Sequence, residues 1–177
     1  MTGKRPYNFM KTVLPFWVLT VAFIFLSACG IYKFKDASIP TDIKTVKIGT
    51  IINRARYVNP QLATKFYDKI QQKVISGTKL SRKTDDNADY VIDGTITTYD
   101  PSQTVGVSAQ QAVTNRLTVT LHMVWKDNVH TKTEEFDVSR SFDYSANLSL
   151  QQAEGQLLDE IVRSLTDDIF NRIFSNW

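Results

Sequence analysis

Asn115-Arg-Leu-Thr-Val-Thr-Leu-His-Met-Val-Trp125 alternates along its length: Leu117, Val119, Leu121, Met123 and Trp125 fall on one side, and Thr118, Thr120 and His122 on the other. Successive side chains of a strand point to opposite faces, so a period of two predicts a half-buried β-strand with one core face and one polar face. Downstream, Asp127-Asn128 supplies a turn. Thr133 to Tyr144 then places Phe136, Val138, Phe142 and Tyr144 inward, with Glu135, Asp137, Ser139, Ser141 and Asp143 opposite. Upstream, Tyr90 to Tyr99 reads as a strand with Tyr90, Ile92 and Ile96 inward and Asp93 and Thr95 outward. Asp100-Pro101 is expected to close it, before a polar connection to about Ala112. Ile43 to Ile52 is the first strand, with Val46, Ile48 and Ile52 on one side and Thr45 and Lys47 on the other.

Two segments carry the helical period instead. Leu62, Phe66, Ile70 and Val74 recur at four-residue steps after Asn59-Pro60, which predicts a capped helix ended by Gly77. Leu158, Ile161, Leu165, Ile169 and Ile173 mark a second helix from Leu150 to about Phe174, opened by a capping box of Ser149 and Gln152. The order is β-α-β-β-β-α. Two amphipathic helices must bury their stripes against the apolar face of the sheet. The expected fold is α+β: a two-layer sandwich of a roughly four-stranded mixed sheet with both helices on one face and a polar face on the other.

The N-terminus is an address. Lys4, Arg5 and Lys11 precede a largely apolar run from Val13 to Leu26. Its 14 residues, at about 1.5 Å each, span roughly 21 Å, short of the ~30 Å hydrocarbon core, as in a signal peptide. Leu26-Ser-Ala-Cys-Gly30 resembles a bacterial lipobox, in which the signal is cut before the Cys and that Cys is acylated. The one Cys of the chain, Cys29, stands where that chemistry requires it. The expected organisation is a signal peptide over 1–28, a lipidated tether over 29–42 and a single domain over 43–177. Gly30 after the Cys resembles lipoproteins sent on to the outer membrane, so a periplasm-facing, lipid-anchored protein is expected.

Composition excludes several function classes. One Cys and two His leave no disulfide framework and make a structural zinc site untenable. The whole chain carries 21 basic and 18 acidic residues. With Lys4, Arg5 and Lys11 gone the mature chain is neutral, which disfavours general nucleic-acid binding. No nucleophile elbow, phosphate-binding loop or paired-histidine zinc motif occurs, and no catalytic or metal-ligating residue is assigned. Asp85, Asp86 and Asp89 lack calcium-loop spacing and read as a solvated loop. His122 and His130 read as surface residues. A hydrolase would need His122 to meet Asp93 or Asp143.

Charge is nevertheless divided. Lys33 to Lys83 holds 12 basic and three acidic residues, and 84–177 holds six basic and 15 acidic. Either the halves neutralise one another in the fold, or a basic face meets anionic headgroups or phosphates. The candidate ligand contacts on that second view are Arg54, Arg56, Lys65, Lys69, Lys73, Arg82 and Lys83. Arg140 falls on the apolar side of its strand, between Val138 and Phe142, and so needs a partner group or an edge position. Arg140 joins Val105, Gly106 and Val107, in an uncharged connection, as candidate contacts with a partner.

Three stretches together resemble the LptE family of lipopolysaccharide-assembly lipoproteins, in the form found in Bacteroidetes-type bacteria: Cys29-Gly-Ile-Tyr-Lys-Phe-Lys-Asp-Ala-Ser-Ile-Pro40, Asn115-Arg-Leu-Thr118 and Asp168-Ile-Phe-Asn-Arg-Ile-Phe-Ser-Asn-Trp177. Lys35-Asp36 departs from the small residues expected before Ala37. The resemblance implies a non-enzymatic outer-membrane subunit, without cofactor beyond the lipid on Cys29, that plugs and helps assemble an LptD-type β-barrel and aids lipopolysaccharide insertion into the outer leaflet. The competing expectation is a free periplasm-facing lipoprotein that binds an envelope ligand without a barrel.

Overall fold

The structure, a computed structural model, describes residues 39–105 and 114–175, with the backbone alone at 102–105. Cys29, most of the expected tether, Gly106 and Val107 lie outside the described residues. In chain order the elements are β1 (Thr45–Asn53), α1 (Leu62–Gly77), β2 (Ser81–Arg82), β3 (Tyr90–Val105), β4 (Thr114–Asp127), β5 (Lys132–Ser145) and α2 (Leu150–Phe174). The sheet order is β2-β1-β3-β4-β5. β1 is parallel to both its neighbours, and β3, β4 and β5 are antiparallel. The sheet is mixed as expected, but it has five strands rather than four. The fifth, β2, is two residues long and too short to show any period.

The decisive stretch folds as its pattern dictates. Leu117, Val119, Leu121 and Met123 are fully buried, and β4 pairs with β5 without a register shift from Thr114↔Ser145 to Asp127↔Lys132. Phe66, Ile70, Leu62 and Val74 of α1 and Ile161, Leu165, Ile169 and Phe174 of α2 complete the same core. At the end of α2, Phe174 is buried deeply while Ile173 is only partly so. Lys65 pairs with Asp159 and Lys73 with Asp167, so the helices lie side by side and run in the same direction. Gly77 permits their close approach, since a Cβ there would sit 2.8 Å from Cζ of Phe170.

Three local expectations are corrected. Ile52 is exposed and Ile51 is buried in its place, because β1 bulges between Ile48 and Ile51 and the extra residue reverses the alternation. Asp100-Pro101 does not close β3, which runs to Val105 against β4. The proline is tolerated at a register shift, and β1 has already ended at Asn53↔Ile96, so among the described residues no strand lies on its other side. Asn59-Pro60 forms a turn before α1 rather than its cap: Asn59 Oδ1 accepts the Gln61 amide at 3.0 Å and the helix begins at Leu62. The α2 capping box is present, with Ser149 Oγ accepting the Gln152 amide and Gln152 Oε1 accepting that of Ser149.

Candidate functional site

The outward face of the sheet is polar and internally bonded. Register sets Arg116 opposite Asp143, Thr118 opposite Ser141, Thr120 opposite Ser139 and His122 opposite Asp137. Each pair is in contact: Arg116 donates to Asp143 at 2.6 and 3.0 Å, the hydroxyl pairs lie at 2.9 and 2.8 Å, and His122 Nδ1 is 2.8 Å from Asp137. The Arg116 guanidinium holds the Asp143 carboxyl below its usual range. His122 also approaches Glu135 at 3.5 Å. Its partners are therefore acids of the adjacent strand, and Asp143 belongs to Arg116. Cross-strand pairing at this spacing keeps the face rigid without burying it.

Folding separates the seven candidate basic residues into two sets. Lys65 and Lys73 are met by Asp159 and Asp167 at 2.7 and 2.8 Å, and Lys69 donates to Gln72 at 3.2 Å. Lys65, by hydrogen bond first and by charge second, holds Asp159 below the ordinary carboxylate range. Lys47, paired with Asp86, is a third link between the basic and acidic halves. So part of the charge division is cancelled inside the fold. Arg54, Arg56 and Arg82 stay exposed; Arg82 donates to the Tyr67 hydroxyl at 3.2 Å and Lys83 to the Asn87 carbonyl. Among the described residues none of these four forms an ion pair within 4.0 Å.

Arg140 stands opposite Val119 on the helix side of the edge strand, half exposed, and Asp168 of α2 takes its guanidinium through both oxygens. The edge position and an acid partner explain how an arginine is accommodated there. Val105 pairs with Thr114 at the far end of the β3–β4 hairpin. The aspartate loop is occupied by the fold itself: Asp89 Oδ2 accepts the amides of Lys44 and Thr45 at 2.8 and 2.9 Å, which lowers its pKa. No group of three metal-capable side chains occurs among the described residues.

Two polar clusters escaped the sequence pattern. Tyr99 donates its hydroxyl to Glu154 at 2.6 Å, and both residues are buried. Burial, then the Glu154 bond, pushes the Tyr99 pKa upward. His130 is held by Asp127 at 2.7 Å and Asp42 at 3.1 Å, tying the entry to β1 to the β4–β5 turn. The Asp127 bond is the main cause of its raised pKa. The Tyr99–Glu154 bond and the Asp42–His130 pair join residues distant in sequence, which no local period signals, whereas Asp127 and His130 are three residues apart.

Fold and surface together define a two-layer α+β domain that presents a polar sheet face and an uneven basic rim. The chain belongs to the LptE family, described as lipopolysaccharide-assembly, whose model matches residues 43–173. Solved structures share the fold. The PelC dodecamer from Paraburkholderia phytofirmans is 12% identical with a TM-score of 0.50, covering 78% of this chain and 95% of that one. A neuraminyllactose-binding hemagglutinin homologue from Helicobacter pylori is also 12% identical, with a TM-score of 0.51 over 80% of this chain and 87% of the other. No curated protein sequence matches the chain.

Proposed function

We propose that this protein is a lipid-anchored, non-enzymatic outer-membrane subunit of the lipopolysaccharide transport machinery, acting as the plug and assembly partner of an LptD-type β-barrel. The family match over 43–173 is the observation that carries the reading. Residues 1–28 are the signal peptide, Cys29 takes the lipid, 29–42 are the tether, and 43–177 are the domain that enters the barrel. Several acyl chains at ~0.8 kcal/mol per buried CH₂ hold such a domain firmly at a bilayer surface.

The hydroxyl-rich sheet face suits the polar lumen of a large barrel, and the uncharged stretch of Val105, Gly106 and Val107 supplies contacts with its wall. Anionic lipopolysaccharide is met by the exposed guanidiniums of Arg54 and Arg56, with Lys69 secondary because its helix neighbours are already paired. Cys29→Ser tests the anchor. The variant is expected to lose palmitate label and leave the membrane fraction, and label persisting on it contradicts the reading. Arg54→Glu with Arg56→Glu is expected to weaken lipopolysaccharide binding about tenfold at low salt, and unchanged affinity removes these two contacts.

A further inference from the structure

β1 is nine residues long but β2 covers only its first part. Ser81 and Lys83 donate their amides to the carbonyls of Lys44 and Val46 at 2.8 and 2.9 Å, and among the described residues nothing pairs with β1 on that side beyond Lys83. Backbone direction alternates along a strand, so Ile48 faces the same side as Val46. After the bulge the parity reverses. Arg54 donates inward to the Ile96 carbonyl at 2.9 Å, so Ile51 and Asn53 face outward. The open edge from Ile48 to Asn53 is about 17–20 Å long at ~3.3 Å per residue.

This edge opens into a cleft of about 640 Å³ whose other wall is Ala63, Thr64 and Tyr67 of α1. Exposed Ile52 lies on its lip, and Asn53 Nδ2 is buried without a hydrogen-bond partner among the described residues. Charge is placed at both ends: Arg82 closes β2 and Lys83 follows it where the pairing stops, and Arg54 follows β1 where the edge ends. The acid at the cleft, Asp93, faces Lys126 across the sheet at 3.8 Å.

We infer that the Ile48–Asn53 edge of β1 is a strand-addition site for an extended, acidic segment of a protein partner, which continues the line of β2. Main-chain bonds to Ile48, Ile51 and Asn53 supply the affinity, and Arg82, Lys83 and Arg54 select for carboxylates. An unprotected edge is a template for another chain, and its short cover is what leaves this one available. The inference stands on the edge itself and does not draw on the barrel reading.

The test uses the full chain in dodecylmaltoside and three labelled seven-residue probes. They are acetyl-Thr-Glu-Val-Glu-Val-Glu-Thr-amide, its lysine counterpart, and the acidic peptide N-methylated at every second residue. Fluorescence anisotropy at low salt is expected to show the acidic peptide bound at least about tenfold more tightly than either of the others. Arg54→Glu with Arg82→Glu, shown folded by circular dichroism, is expected to weaken it about tenfold and to favour the lysine peptide. Amide exchange at Ile48 and Ile51 slows on binding.

Equal binding of all three peptides, retained binding of the N-methylated one, or none at about 1 mM overturns the inference. So does the appearance at this edge of another occupant: phosphatidylglycerol micelles bound with the same arginine dependence while the peptide is not, or a second copy of the chain detected by analytical ultracentrifugation.

Discussion

Replacing Tyr99 by Phe is the perturbation that most isolates one interaction. The phenyl ring preserves the buried volume and the stacking on Tyr57, whose ring lies 5.4 Å away. Only the hydroxyl is lost, together with its 2.6 Å bond to Glu154, a residue 8% exposed. A hydrogen bond to an acid contributes about 1.5–3 kcal/mol, and truncating the donor leaves the acceptor desolvated without a partner. The expected loss is roughly 2 kcal/mol in urea denaturation of the domain, with an unchanged denaturant slope. Glu154→Leu removes the other end. If the pair acts as argued, the double substitution costs less than the sum of the singles, with a coupling of about 1–2 kcal/mol. A Tyr99→Phe loss below about 0.5 kcal/mol, or single losses that simply add, would refute the reasoning.

Gly94 sits within the core side of β3, where a Cβ would come 2.7 Å from Ile51 Cδ1 and 3.0 Å from Met123 Sδ. Gly94→Ala is therefore expected to cost about 1–3 kcal/mol by overpacking, read as a fall in melting temperature. Asp168→Asn frees Arg140 from a pair that is 30–49% exposed. Solvent screening limits the loss to roughly 0.5–1 kcal/mol, and a loss several times larger in denaturant titration contradicts the edge-position account. The folded state raises the His130 pKa through Asp127 first and Asp42 after it. Stabilisation from that cluster is thus fully present below the unfolded value of about 6.5 and disappears as pH rises through the raised folded value. Melting temperatures across that window should fall with pH in the wild type, and the His130→Gln variant should lack that part of the fall.

Much of this fold was legible because its sheet has one wet face and one dry one. In β4 every second residue declares its side, and the alternation from Leu117 to Trp125 is reproduced position by position. The same rule failed at Ile52, since a bulge adds a residue without leaving a mark in hydropathy. It could not show β2, which two backbone bonds define rather than any side-chain pattern. Proline at 101 carries a local stop signal, but β1 ends at Asn53↔Ile96 and, among the described residues, leaves that side of β3 without a neighbour, which no local pattern records. On the surface, sequence counted charges correctly but could not say which are cancelled. Lys65 and Lys73 find acids on a helix that begins more than seventy residues later, whereas among the described residues Arg54 and Arg82 meet none. Arg140 was the reverse case: its misfit with the apolar pattern demanded an edge or a partner, and Asp168 is that partner.

The central claim is that this LptE-family chain works inside a barrel rather than alone. A tagged chain recovered from outer membranes in mild detergent, with co-purifying chains identified by mass spectrometry, tests it most directly. The account predicts one large β-barrel protein in near-stoichiometric amount, lost when the membrane is denatured. Recovery of the lipoprotein by itself across several detergent strengths would contradict it and leave a free envelope-ligand binder in its place.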